Sequence, residues 1–144
     1  MQHDDGTVFK VTPQGELTTL HSFHGLDGEN PIGGTGQGTN GVFYGTTLYG
    51  GSDGLGTIFS ISEGLGAFVQ TAPGVGMVGQ HILILGTDLT GATSVTFDGI
   101  PAPFNVVSPT LITAIVPTSA TPGPVQVVTP GGTLSSNANF LVVP

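Results

Sequence analysis

Glycine and proline punctuate this sequence at intervals that leave room for strands and turns and little else. Gly occurs 25 times and Pro 11 times in 144 residues, a quarter of the chain. They fall between short runs of Val, Ile, Leu, Phe and Thr, as turn residues fall between β-strands. No helix-length window repeats apolar side chains at helical spacing, and Lys10 and three Glu are all the chain offers of the charged residues that favour exposed helix faces. The expectation is an all-β protein with essentially no helix. A chain of this length buries roughly two-thirds of its surface on folding, enough for two small cores.

Nine acids stand against one base, a formal net charge of −8. A nucleic acid or an anionic membrane surface is held by clustered Lys and Arg, and there are none here to cluster, so neither is expected as a partner. No run of apolar residues approaches the ~20 needed to span a bilayer as a helix. The absence of Cys removes disulfides, thiolate metal sites and a Cys nucleophile. The opening MQHDDGTVF has neither the basic nor the apolar region of a signal peptide, so an exported protein would carry this chain as a processed product or a fragment.

The first half contains an internal repeat. Gly6-Thr7-Val8-Phe9 returns as Gly56-Thr57-Ile58-Phe59, a period of about 50 residues that suits one four-stranded propeller blade. Strands are expected at Thr7–Val11, Leu17–Phe23, Val42–Thr47 and Thr57–Ile61, with Pro13-Gln14-Gly15 turning between the first two. The glycine-rich stretches Gly33–Gly41 and Gly50–Gly56 are expected to be loops. Val42-Phe43-Tyr44 and Ile58-Phe59 place apolar residues on both strand faces, as in sheets sandwiched between neighbours.

The second half predicts seven short strands at Ala67–Thr71, Gln80–Gly86, Thr93–Asp98, Ala102–Val107, Thr110–Val116, Pro124–Thr129 and Ala138–Val143, the spacing of a β-sandwich. Ser94 to Asp98 alternates with Val95 and Phe97 inward, and Asp98-Gly99 signals a type I′ hairpin. The run Pro73-x-x-Gly76-x-x-Gly79, Ile82-x-Ile84-x-Gly86, Gly91-Ala92-Thr93-Ser94-Val95-Thr96-Phe97-x-Gly99, Ile112-Thr113-Ala114-x-Val116-Pro117 and Val127-x-Thr129-Pro130-x-Gly132 resembles the IPT/TIG family of immunoglobulin-like domains. In the first half, Gly6 to Lys10, Thr18-Thr19-Leu20-x-Ser22-Phe23 and Tyr44-Gly45-Thr46-Thr47 resemble the bacterial GloVer tandem repeat, of which the chain holds just over one copy. Together these resemblances imply a GloVer-like β repeat over 1–63, an IPT/TIG immunoglobulin-like β-sandwich over 64–144, and an extracellular or cell-surface setting. Neither family brings a catalytic residue.

Several short motifs invite a chemical reading, and each also has a plainer one. Gly50-Gly51-Ser52-Asp53-Gly54 fits the nucleophile elbow G-x-S-x-G, but without a following helix it reads as a tight β-loop. Gly36-Gln37-Gly38-Thr39-Asn40-Gly41 fits G-x-G-x-x-G but runs into a strand, not the helix end that would hold a phosphate. His21 and His24, with His3, Asp4 and Asp5 nearby, could ligate a transition metal only if the strand ends near Phe23, since strand residues three apart point oppositely. Asp27, Glu29 and Asn30 offer Ca²⁺-type oxygens without EF-hand spacing. Tyr44 is expected to pack, and Tyr49, in a glycine loop, is the better candidate for contact with a glycan. No catalytic, cofactor-binding or metal site is therefore expected.

From Gly66 to Pro144 the only charged side chains are Asp88 and Asp98. A soluble domain normally guards its sheet edges and faces with charge. The sequence thus points to a non-enzymatic extracellular structural module that self-associates into an oligomer or fibre through the repeat segment and the low-charge sandwich. The alternative is an adhesin-type module binding glycan or another surface protein.

Overall fold

The structure, a computed structural model, describes residues 5–144. Every regular element among them is a strand. Residues 5–38 with 42–65 form one compact unit, and residues 39–41 with 66–144 a second.

In the first unit, β1 (Thr7–Val11) and β2 (Leu17–Ser22) make an antiparallel hairpin. Its turn closes where the Gly15 N–H donates to the Thr12 carbonyl (2.9 Å), with Gly15 at φ 88°, a conformation open to glycine. Register slips once: Val8 faces His21 but Phe9 faces Thr19, so Leu20 is an extra residue on β2. β3 (Gly36–Gln37), β4 (Phe43–Thr46) and β5 (Ile58–Ile61) form a separate antiparallel sheet in that order. The glycine stretch 33–41, expected to be loop throughout, thus supplies a two-residue strand.

The four strands foreseen for one blade are therefore divided between two sheets, and no closed propeller is present. The reason lies in the repeat: β1 and β5 are its two instances of Gly-Thr-(Val/Ile)-Phe, so they hold one place in successive repeats, not two places in one.

Phe23 is the one large apolar side chain among the described residues of this unit that is fully buried, at 2% exposure. Its ring meets the edge of Phe59 at 5.1 Å. Close backbone approach substitutes for apolar bulk: the Cζ end of the Phe59 ring stands over Gly45, its cross-strand partner, and Gly28 sits against Thr47 and Thr57. Those two threonines join their hydroxyls at 2.9 Å, and the Thr57 hydroxyl also donates to the Asp27 carbonyl.

The second unit is an immunoglobulin-like sandwich built from β6 (Gln70–Ala72), β7 (Val75–Met77), β8 (His81–Leu85), β9 (Ser94–Phe97), β10 (Ile100–Pro101), β11 (Phe104–Ser108), β12 (Leu111–Ile115), β13 (Val125–Thr129), β14 (Gly132–Ser135) and β15 (Leu141–Val143). One sheet runs β10-β9-β13-β14 and the other β11-β12-β8-β6, while β15 pairs in parallel with β7. Alternate residues fill the core: Ile82 and Ile84 from β8, Val95 and Phe97 from β9, Ile112 and Ala114 from β12, Val125 and Val127 from β13. Asp98 (φ 48°) and Gly99 (φ 80°) form the expected two-residue hairpin, with Phe97 opposite Ile100. Some expectations shift. The first strand begins at Gln70, not Ala67, the last at Leu141, not Ala138, and β7, β10 and β14 stand outside the seven strands expected.

Candidate interaction surface

The residues singled out for chemistry are mostly occupied by the fold. Asp27 is the centre of one local arrangement: its Oδ2 lies 2.8 Å from His21 Nε2 and its Oδ1 accepts the His24 backbone N–H at 2.7 Å. That N–H is the largest effect and holds the Asp27 carboxyl below its ordinary value; desolvation opposes it less strongly, and the His21 imidazole adds a smaller lowering. The strand does end at Ser22, as a shared metal would require, but His21 turns to Asp27 and His24 contributes its backbone. His3 and Asp4 lie outside the described residues. Among the described residues no group of three or more His, Asp or Glu could hold a metal ion.

Glu29 and Tyr49 exchange backbone hydrogen bonds, and Asn30 sits at φ 55° with its N–H on the Asp5 carbonyl. The Asp27–Asn30 loop is thus tied to the loop bearing Tyr49. Ser52 is exposed in a turn closed by the Gly54 N–H on the Gly51 carbonyl, and no helix follows it. Gly36–Gly41 leads from β3 into β4. Tyr44, expected to pack, is 43% exposed, because the opposite face of β4 is the one that Phe59 covers. Tyr49 is 50% exposed.

The feature the sequence reading passed over is an asymmetry between the outer faces of the sandwich. In β12 the buried residues are Ile112 and Ala114, so Leu111, Thr113 and Ile115 point outward. By the same alternation β8 sends out His81, Leu83 and Leu85, the two leucines 42% and 39% exposed. The registers join these into continuous rows: Gln70–Leu85–Leu111, then Ala72–Leu83–Thr113–Asn105, then His81–Ile115. Val107 extends the apolar area at the margin, and no carboxylate, Lys or Arg stands in any row.

Across the core, β9 and β13 send out Ser94, Thr96, Gln126 and Val128, with Thr133 and Ser135 opposite on β14. One face is dressed for water and the other is not. The runs Ile82-Leu83-Ile84-Leu85 and Leu111-Ile112, apolar at consecutive positions, were the sequence signal for it.

Two concavities accompany these surfaces. On the apolar face a shallow depression of about 190 Å³ is lined by His81, Phe104, Asn105, Thr113 and Ile115. In the first unit a cleft of about 370 Å³ is walled by Phe9, Leu20, Phe43, Ile61 and Leu65. At its lining Lys10, the chain's single base, donates to Glu63 Oε2 at 2.6 Å. With the Lys10 side chain half-exposed and Glu63 partly so, this pair contributes at most about 1 kcal/mol.

Two sheets packed face to face on a core of alternating residues define a small immunoglobulin-like β-sandwich. Residues 69–142, a little over half of the chain, match the family model of the IPT/TIG domain, and the chain belongs to that family. Among solved structures, an auxiliary nutrient binding protein from Bacteroides ovatus ATCC 8483 is similar at 24% identity, with 51% of this chain and 20% of that one covered and a TM-score of 0.46. SGBP-B from a complex xyloglucan utilization locus in Bacteroides uniformis is similar at 12% identity, covering 94% of this chain and 36% of that one, with a TM-score of 0.45. This chain thus spans about a fifth and about a third of their lengths. No curated protein matches it. Among the described residues no helix is long and apolar enough to cross a membrane.

Proposed function

We propose that the chain is a non-enzymatic structural module of a bacterial surface or extracellular protein, which associates with copies of itself through the uncharged outer face of its IPT/TIG sandwich. The contrast between the two outer faces carries this reading. Leu83, Leu85, Leu111 and Ile115 form an apolar sheet surface without a charge, while the opposite sheet presents Ser94, Thr96 and Gln126. A solvated sheet needs no row of leucines, and water is excluded from such a row most simply by a second surface of the same kind. The bacterial surface setting draws on the resemblance of residues 6–62 to GloVer repeats, and the boundary near 63/64 separates that repeat segment from the sandwich.

Light scattering over a range of protein concentrations, with negative-stain images, tests the reading. Rings, filaments or a mass rising with concentration support it; a particle of one chain's mass at every concentration rejects it.

A second reading, glycan binding, is favoured by the outer-face depression whose lining includes Asn105, Thr113 and His81. Retention on a polysaccharide matrix that is lost in Asn105→Ala and kept in Tyr49→Ala would place the site there.

A further inference from the structure

The repeated strand meets its neighbours differently in its two copies. In β5 the region next to β4 is fixed by Thr57, whose N–H donates to Thr47 Oγ1 and whose carbonyl accepts the Thr47 N–H. In an extended strand alternate residues direct both backbone groups to the same side, so Thr57, Phe59 and Ile61 face β4 while Ile58 and Ser60 face away. β5 is the last strand of its sheet, so the groups of Ile58 and Ser60 line an open edge.

In β1 the Gly6 carbonyl accepts the Phe23 N–H and the Thr12 N–H donates to the Glu16 carbonyl, so Gly6, Val8, Lys10 and Thr12 face β2. The repeat aligns Val8 with Ile58 and Lys10 with Ser60. The edge that β1 gives to β2 is therefore the very edge that β5 leaves open. The residues that would follow β5 as β2 follows β1 are those near 67–72, and they are committed elsewhere: Val69 is fully buried in the sandwich core, and Gln70–Ala72 form β6 against β8.

We infer that the open edge of β5 is a receptor for the strand type of Leu17–Ser22, supplied by a second copy of the chain. This names a second contact within the self-association proposed above and rests on that reading. Several observations on the edge agree. Ile58 is 83% exposed, and Ile-Phe-Ser-Ile carries none of the charge that protects a solvent-facing edge. A cleft of about 390 Å³ beside Ser60 and Ile61 has Leu20, His21, Phe23 and Asp27 of the same chain on its other wall, so β5 does not pair with its own β2. β2 has one edge on β1 and a second without a strand partner among the described residues, so it can bridge its own β1 and the β5 of another copy. Such a contact joins different surfaces of the two copies, which makes it head-to-tail and able to propagate.

A fluorescent peptide of residues 16–24, titrated with the full chain and followed by anisotropy, tests the inference. Ile58→Pro and Ser60→Pro each remove an outward N–H and leave the β4 ladder its donors, a position where proline is tolerated in an edge strand. The expected result is saturable peptide binding, weakened roughly tenfold or more by either proline. Circular dichroism reports whether each variant keeps the wild-type fold. If one does not, unlabelled peptide that dissociates wild-type multimers gives the same support. No peptide binding, or equal binding by both folded proline variants, overturns the inference. Wild-type multimers that persist in both proline variants overturn it as well, and leave face-to-face assembly of the sandwich standing.

Discussion

The ring of Phe97 meets that of Phe140 edge-on, with centroids 5.1 Å apart and planes at 84°. Both rings are 1% exposed. Phe97 comes from the end of β9, and Phe140 lies just before β15, where it exchanges backbone hydrogen bonds with Gly123. The pair therefore clasps the last segment of the chain to the middle of the sandwich. Phe97→Ala should cost about 3–5 kcal/mol, a large part of the roughly 5–15 kcal/mol that holds a domain together. Urea unfolding of the sandwich measures it. A loss below about 1 kcal/mol would mean that the core closes over the gap, contrary to the packing described.

Gly45 and Phe59 make the corresponding contact in the first unit. A Cβ on Gly45 would fall against Phe59 Cζ, with Cε1 at 2.9 Å and Cε2 at 3.0 Å, and the ring is also in contact with that of Phe23. Gly45→Ala should destabilise this unit by about 1–3 kcal/mol, the usual range for overpacking. Phe59→Leu, which removes the opposing ring edge, should recover part of that loss in the double variant, as coupled neighbours do. Additive losses would show that the two residues do not press on each other.

How much of this was legible beforehand depends on whether one face of a strand is wet. Val95 and Phe97 could be placed inward from Ser94-Val95-Thr96-Phe97 because polar residues alternate with them, and Asp98-Gly99 could be placed in the hairpin because its geometry requires positive φ. β7, Val75-Gly76-Met77, has glycine as its one inward residue, and β14, Gly132-Thr133-Leu134-Ser135, offers Leu134 alone, so both are held by pairing to partners far along the chain or across a turn. Propensity does not report such pairing. The apolar outer face was visible as consecutive apolar residues in β8 and β12, but a fully covered strand gives the same pattern. Only the structure shows which of the two faces reaches solvent. The His21–Asp27 contact depends on the chain doubling back after β2, which no spacing rule specifies.

The Asp27 carboxylate gives the first unit an acid sensitivity. The Asp27 carboxyl is held below the usual carboxylate range chiefly by the His24 N–H, so the folded state binds its proton less readily than the unfolded chain. A lowered pKa contributes stability that is fully present above the unfolded value and is lost as pH falls through the folded one. The melting temperature of the first unit should therefore drop as pH is lowered from about 5 toward 2. Asp27→Asn should lower it at neutral pH and flatten that part of the profile. A profile of unchanged slope in Asp27→Asn would assign the acid sensitivity to other carboxylates.

The two outer faces of the sandwich allow a matched pair of substitutions. Leu83 and Thr96 occupy equivalent places, each outward on an inner strand of its sheet, between inward Ile82 and Ile84 in one case and Val95 and Phe97 in the other. Leu83→Asp and Thr96→Asp add the same charge at similar cost to the fold, since neither reaches the core, and each should shift stability by no more than about 1 kcal/mol. Only Leu83→Asp places that charge where apolar side chains from two copies meet, and a carboxylate desolvated there without a partner opposes contact strongly. Concentration-dependent mass should therefore fall in Leu83→Asp and stay at the wild-type value in Thr96→Asp. If the two variants respond alike, the contrast between the faces has no part in association, and the leucine rows belong to a surface that tolerates water.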